Sequence, residues 1–457
     1  MQDRFLLYNA HHYAPENYWD TDVHLKSLQS QVYLYNHPLI QTLPRKIPGI
    51  YTVEGGRQIG KTTLLKQWIA LLLAEGVSPL SIVFFTGELI PDYISLIDLI
   101  QKFTSQRAPE DFSYIIIDEI TYVAEWDRGI KFCADAGLLQ NCIVVLTGSD
   151  LTLMQAAKMT FPGRRGKADK VDFHVYPLSF KAFLQLKKSI PSIKDILVEE
   201  IIPDTPIMQA IYAEFTQYLM HGGYLTAIND VARGGCITSA TLQTYSDWIR
   251  GDMLKRGKQE TYLKEILQAI IKRYNSQLSW HALAKDLSID SHKTVADYCE
   301  LLATMDALFI QSALLQDKLV AAPKKARKIS FTDPFIYHAI KQWLFPSNDV
   351  SRQISDDIAD PHIGASLVES IVSNQFRRYY PTYYLKGDVE IDVAYVDQQK
   401  FWPIEVKWRN QLRPSDVKAL SKYPNVKVFA RIFALTSIEN IPLLPLPLAL
   451  LWADKDS

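Results

Sequence analysis

Little in this chain of 457 residues speaks for a disulfide scaffold, a membrane span or a polyanionic partner bound by bulk charge. The four cysteines are Cys133, Cys142, Cys236 and Cys299, and no two form a CxxC pair. A zinc ribbon and a disulfide framework are thereby excluded, and the thiols read as buried groups of a reducing compartment. No run approaches the ~20 apolar residues of a membrane helix. The greasiest segment, IPLLPLPLALLW, is broken by three prolines and reads as a closing strand. The start, MQDRFLLYNAHH, lacks the charged head and apolar run of a signal peptide. The expectation is a cytoplasmic protein without a membrane partner. The net charge is −1, so contact with nucleic acid must come from local patches. Internal repeats and low-complexity tracts are missing too.

What is present is a chain too long for one ordinary core, with 48% hydrophobic and 22% charged residues. Continuous apolar runs stand at GIYTVEG, SIVFFTG, SYIIIDE, CIVVLTG and VDFHVYPL, separated by helical segments. Such runs fit parallel strands covered on both faces, and the alternation gives a doubly wound α/β sheet. The pattern turns helical from Ser179 to about Lys255. A helix at TYLKEILQAIIKRY, two helical runs joined by a turn at Ser288–Asp290, with Ser291 as a cap, and a strand at ALFIQSALL spell a winged helix-turn-helix. The segment LFPSNDVSRQISDDIADPH reads as a linker before an α+β unit. The expected divisions are a helical segment 1–45, a nucleotide-binding core 46–178, a helical lid 179–255, a winged helix 256–345 and a C-terminal domain 355–457.

GGRQIGKTTLL satisfies G-x-x-x-x-G-K-[ST], with a strand before it and a helix after it. Gly55, Gly56, Arg57, Gln58, Ile59, Gly60, Lys61, Thr62 and Thr63 are therefore expected to cradle a triphosphate. Backbone N–H groups and the helix N-terminus face the phosphates, Lys61 reaches the β- and γ-phosphates, and Thr62 holds Mg²⁺. The apolar strand YIIID ends at Asp118, a second Mg²⁺ ligand, and Glu119 follows to polarise the attacking water. At the end of the next strand Ser149, with Thr147 in reserve, is placed to contact the γ-phosphate or that water. In FPGRRGKADK, Arg164 or Arg165 is a candidate arginine finger, delivered to a neighbouring subunit's γ-phosphate. That would make the protein a homo-oligomer with ATP and Mg²⁺ as cofactors.

Together GGRQIGKTTLL, IIIDEI, VLTGSD, GRRG and YPLSFKAF resemble the AAA+-type P-loop ATPases of the bacterial and archaeal group with a DUF4143-like C-terminal half. The resemblance covers nearly the whole chain. It extends to HGGYL (His221–Leu225) in the lid, where Leu225 replaces the group's usual proline, and it favours Arg164 as the finger.

In the C-terminal stretch VEIDVAYVDQQKFWPIEVKW, strand alternation puts Glu390 and Asp392 on one face, and likewise Glu405 and Lys407. If the strands are neighbours, Asp392, Glu405 and Lys407 converge, and Glu369 on the preceding helix adds a carboxylate. Oxygen donors of this kind hold Mg²⁺ or Mn²⁺, and the lysine steadies charge on a phosphate. The arrangement resembles the PD-(D/E)xK nuclease core, with Ile391 where that motif has proline. A surface ion pair on two strands is the plain alternative.

DNA is the expected partner through Ser291, His292, Lys293 and Thr294 on the second helix of the winged element, and through KKARK (Lys324–Lys328) tracking the backbone. The resulting expectation is an ATP-hydrolysing AAA+ protein that couples nucleotide state to DNA binding, with or without metal-dependent cleavage. A nucleotide-driven scaffold switch, or a DNA-binding regulator with a silent nuclease-like domain, stands beside it.

Overall fold

The five apolar runs of the first half all become strands, and all are parallel: β1 (Gly49–Glu54), β2 (Ile82–Thr86), β3 (Ser113–Asp118), β4 (Cys142–Gly148) and β5 (Asp172–His174). Their order in the sheet is β2-β3-β4-β1-β5. The computed structural model describes residues 3–455 except 109–111, 162, 191–192, 200, 286, 290, 388 and 410. It divides into two units, residues 1–176 and 177–456.

Alternate residues of the first unit's strands enter opposite apolar layers. Ile115, Ile117, Val144 and Leu146 pack with Leu96, Ile100, Trp126 and Ile130 of the helices Tyr93–Thr104 and Trp126–Asp135. Ile116, Ile143, Val145 and Val53 pack with Leu65, Trp68 and Leu72 of the helix Lys61–Ala74. A strand buried on both faces needs no polar side, which is why these runs read as unbroken. Residues before β1 close the second layer with Tyr18, Leu25 and Leu39. Here Asp22 pairs with the fully buried Lys66 at 3.2 Å.

In the second unit the expected helical stretch contains Phe180–Lys187, Thr205–His221, Leu225–Gly234 and Ser239–Lys255. The helix Glu260–Lys272 follows, then β6 (Gln277–Leu278) and the helices Trp280–Lys285 and His292–Thr304. Next come β7 (Leu308–Ser312), the hairpin β8 (Leu314–Leu315) and β9 (Val320–Ala321), and β10 (Arg327–Phe331). An antiparallel sheet forms in the order β6-β10-β7. Ser291 does cap its helix, accepting from the Thr294 amide at 3.4 Å. Asp290, in the expected turn, lies outside the described residues.

The linker expected around LFPSNDVSRQISDDIADPH is corrected: Val350–Ala359 is a helix. Asp349 caps it by accepting from the Arg352 amide at 3.0 Å, and Val350 and Ile354 are buried. Its polar residues are one face of a capped helix.

The last region is a sheet laid beside the helix Pro361–Arg377. Its strands are β11 (Thr382–Lys386), β12 (Glu390–Asp397), β13 (Lys400–Lys407), β14 (Lys427–Ala430), β15 (Thr436–Ile438) and β16 (Ile441–Pro445). The order is β11-β12-β13-β14-β16-β15. The closing strand is also corrected. Only Ile441–Pro445 is extended, and Leu446–Ala453 is a buried helix with proline in its first turn, a position where the missing N–H costs nothing. Among the described residues no helix is long and apolar enough to cross a membrane.

Candidate functional site

The loop after β1 is shaped by backbone that side chains would oppose. Gly55 has φ +155° and a Cβ there would lie 2.5 Å from the Val175 carbonyl oxygen. Gln58 and Gly60 have φ of 56° and 100°, left-handed conformations that let successive N–H groups turn inward. Gly60 then caps the helix that opens at Lys61. The Lys61 ammonium donates to the carbonyls of Gly55 at 3.1 Å and Gly56 at 3.0 Å, and lies 3.5 Å from Glu119 Oε1.

Three parallel strands bring the acidic and hydroxyl groups to the same edge. Thr62 Oγ1 donates to Asp118 Oδ2 at 2.6 Å, and Thr147 Oγ1 donates to Asp118 Oδ1 at 2.5 Å. Thr147 also accepts the Glu119 amide at 2.9 Å. Ser149 donates to Glu119 Oε2 from its hydroxyl at 3.0 Å and its amide at 3.3 Å. Burial raises the Asp118 carboxyl above its ordinary range, while the two threonine hydroxyls oppose that rise. Lys61, Thr62, Asp118, Glu119, Thr147 and Ser149 thus form one connected cluster. The hydroxyl and carboxylate oxygens of Thr62 and Asp118 are hard donors and fit Mg²⁺.

Sequence reasoning missed the supports of this cluster. Gly87 lets the chain pass Glu119, whose carbonyl oxygen a Cβ at Gly87 would meet at 2.3 Å. Arg57, which the sequence did place in the loop, donates to the Tyr122 hydroxyl at 2.7 Å, a partner the sequence did not show. Lys158 bridges Glu54 at 2.8 Å and Asp172 at 3.3 Å. Glycine after an apolar strand was the one visible signal.

Both candidate fingers are engaged within their own chain. Arg164 grips Asp135 through two bonds, at 2.5 and 3.1 Å. Arg165 grips Asp172 at 2.6 and 2.9 Å and donates to the Val171 carbonyl at 3.1 Å.

The C-terminal carboxylates also meet. β12 and β13 pair antiparallel, with Val393 opposite Ile404. Asp392 and Glu405 are buried, and the Val406 amide donates to Asp392 Oδ2 at 3.0 Å. Glu369 shares a hydrogen bond with Asp392, and Lys407 pairs with Glu405. Burial and the neighbouring Asp392 charge push Glu405 up to about 7 and Glu369 well above the carboxylate range. A second cation, beside Lys407, comes from β10. Lys328 Nζ stands 2.7 Å from Glu390, 3.1 Å from Asp392 and 3.8 Å from Glu369. Asn275, in the turn before β6, donates to Glu369, and Gln277 of β6 donates to Glu390.

Two expectations change here. Lys328 is buried and is not part of an exposed basic tract. Among the described residues no group of three or more His, Cys, Asp or Glu is disposed to hold a metal ion. With an ammonium inside it, the set Glu369, Asp392 and Glu405 does not fit a divalent ion as it stands.

Residues 48–184 match the family model described as AAA domain, and residues 212–346 match a domain of unknown function, DUF8612. An uncharacterized protein of Haemophilus influenzae is 25% identical over 184 residues, which are 39% of this chain and 40% of that protein. The match therefore spans well under two thirds of that relative's length. Among solved structures, a Walker-type ATPase of Pyrococcus abyssi is 16% identical, with a TM-score of 0.39, over 72% of this chain and 96% of that one. The ORC1 protein of Aeropyrum pernix, solved in complex with DNA, is 13% identical, with a TM-score of 0.33, over 69% and 92%. Residues 48–184 are thus similar to an AAA domain, and they are built on a parallel α/β sheet with a glycine-rich loop after β1.

Proposed function

We propose that this protein binds and hydrolyses ATP and uses its nucleotide state to govern contact with DNA. The observation that carries the first half is the Asp118 carboxylate, held between Thr62 and Thr147 with Glu119 beside it. In this reading Gly55–Thr63 cradle the phosphates, Lys61 neutralises them, and Glu119, held by Ser149, orients and activates a water. Thr62 and Asp118 would hold Mg²⁺, which supplies charge neutralisation on the phosphates. Arg164 acts on a neighbouring copy only after exchanging Asp135 for a phosphate, which makes subunit assembly and hydrolysis interdependent.

The segment from Glu260 to Phe331 supports a winged-helix reading: helices, a capped turn and a three-stranded antiparallel sheet. Ser291 and Lys293 are exposed at the start of its second helix and suit phosphate contacts. The helix-and-sheet unit after it supports a PD-(D/E)xK-like reading. Lys328 in its carboxylate pocket favours binding without cleavage over metal-dependent cutting.

Plasmid and short duplex incubated with the full chain, with and without ATP and Mg²⁺, test this directly. The reading expects DNA retention that changes with nucleotide, is lost in Lys61→Ala, and leaves the DNA uncut. Retention that ignores nucleotide would refute the coupling.

A further inference from the structure

The carboxylate pocket of the second unit has a lid of its own. Three polar side chains of the small β6-β10-β7 sheet and the turn before it reach into the pocket: Lys328, Asn275 and Gln277. Gln311 on β7 ties the two sheets together, donating to the carbonyls of Tyr383 at 2.8 Å and Asp392 at 2.9 Å. The Tyr384 hydroxyl donates to the Ala326 carbonyl at 2.6 Å, just before β10. Lys328 is therefore fixed by its strand on one side and by three carboxylates on the other.

A buried ammonium is tolerated only when surrounding charge repays its lost hydration. Glu369, Glu390 and Asp392 do so here, and they hold Lys328 in its charged form, above the ordinary lysine range. One carboxylate oxygen is left over. Glu405 Oε2 is buried and has no hydrogen-bond partner among the described residues. Lys407 takes the other Glu405 oxygen, so Lys328 is the ammonium that occupies the space beside Glu369 and Asp392, next to a carboxylate oxygen still without a partner.

We propose that Lys328 is the resident cation of the Glu369–Asp392–Glu405 pocket, excluding divalent metal and latching the small sheet over it. The inference rests on the reading of this domain as nuclease-like only for what the pocket resembles. The exclusion itself follows from the contacts. As a consequence, the pocket takes up a divalent ion only when Lys328 is removed or β10 is drawn away.

Mn²⁺ binding to the full chain, followed by electron paramagnetic resonance without nucleotide or DNA, separates this from the ATPase reading. Lys328→Met is expected to gain one Mn²⁺ site, at least about tenfold tighter than any in wild type. Adding Asp392→Asn should remove that site, while Lys328→Arg should not create it. A wild-type chain with an Asp392-dependent Mn²⁺ site, or a folded Lys328→Met chain without one, overturns the proposal. Should Lys328→Met fail to fold, amine acylation of the wild-type chain, mapped by mass spectrometry, decides. Lys328 is expected to be protected relative to the exposed Lys324 and Lys325, with or without Mn²⁺. Equal labelling, or labelling induced by Mn²⁺, contradicts it. Loss of ATP hydrolysis leaves all these readouts unchanged.

Discussion

Thr147 and Asp118 lie on neighbouring parallel strands, and the threonine hydroxyl donates to the carboxylate at 2.5 Å while accepting the amide of Glu119. One hydroxyl thereby sets the position of both acidic groups. Replacing it with an isosteric methyl leaves a buried carboxylate short of a donor, a loss of about 1–3 kcal/mol. Thr147→Val is expected to lower kcat about 10²-fold, with ATP affinity changed less than about threefold. Phosphate release and nucleotide titration measure the two separately, and an unchanged kcat would remove Thr147 from the site.

The motif HGGYL (His221–Leu225) has a structural reason for its glycines. A Cβ at Gly223 would lie 2.1 Å from the Leu178 carbonyl oxygen, and one at Gly222 would lie 1.7 Å from Asp333 Oδ1. Gly223→Ala is expected to prevent folding or to lower the Tm by many degrees. Gly234, in the helix Leu225–Gly234, has no atom within 4 Å of such a Cβ. Gly234→Ala should stabilise by about 0.5–1 kcal/mol. Thermal melts of the two variants should therefore move in opposite directions.

Glu405 gives a pH signature. Its carboxyl sits at about 7 in the folded chain against an ordinary 4.5, so the folded state holds a proton that the unfolded state has released. Stability then falls as pH rises from below 4.5 through 7, because the native state binds more protons in that window. Glu405→Gln removes this dependence. Relative to wild type, the variant should gain on the order of 1–2 kcal/mol between pH 5.5 and 8, read by urea unfolding at each pH. A constant difference across that range would rule out the raised carboxyl.

The two arginines of GRRG should separate cleanly. Arg165 is largely buried against Asp172, so Arg165→Ala should cost about 1–3 kcal/mol of stability. Arg164 holds Asp135 at the surface, and Arg164→Ala should leave the Tm unchanged. If it is the finger, Arg164→Ala loses hydrolysis, and mixing it with Lys61→Ala protein restores part of it. No restoration at concentrations where the copies associate would confine hydrolysis to one chain.

The first sheet was legible because its strands are buried on both faces, and burial writes itself into sequence as unbroken apolar runs such as YIII before Asp118. The glycine-rich loop after β1 was legible because close backbone approach admits glycine alone at Gly55. Lys328 was not. A basic run has the same composition whether it faces water or sends one lysine among three carboxylates. The pairing of β10 over the Pro361–Arg377 helix and β12 joins residues far apart in the chain. The helix Val350–Ala359 was hidden for a related reason: its charged face outweighs two buried apolar residues when only composition is read.

The central claim is a working ATP site built on Lys61, Asp118 and Glu119. Its most direct test is ATP binding and hydrolysis by wild type, Lys61→Ala and Glu119→Gln, measured side by side on the full chain. Wild type should bind and turn over ATP, Lys61→Ala should do neither, and Glu119→Gln should bind ATP and keep it uncleaved. Wild-type turnover in either variant would contradict the account.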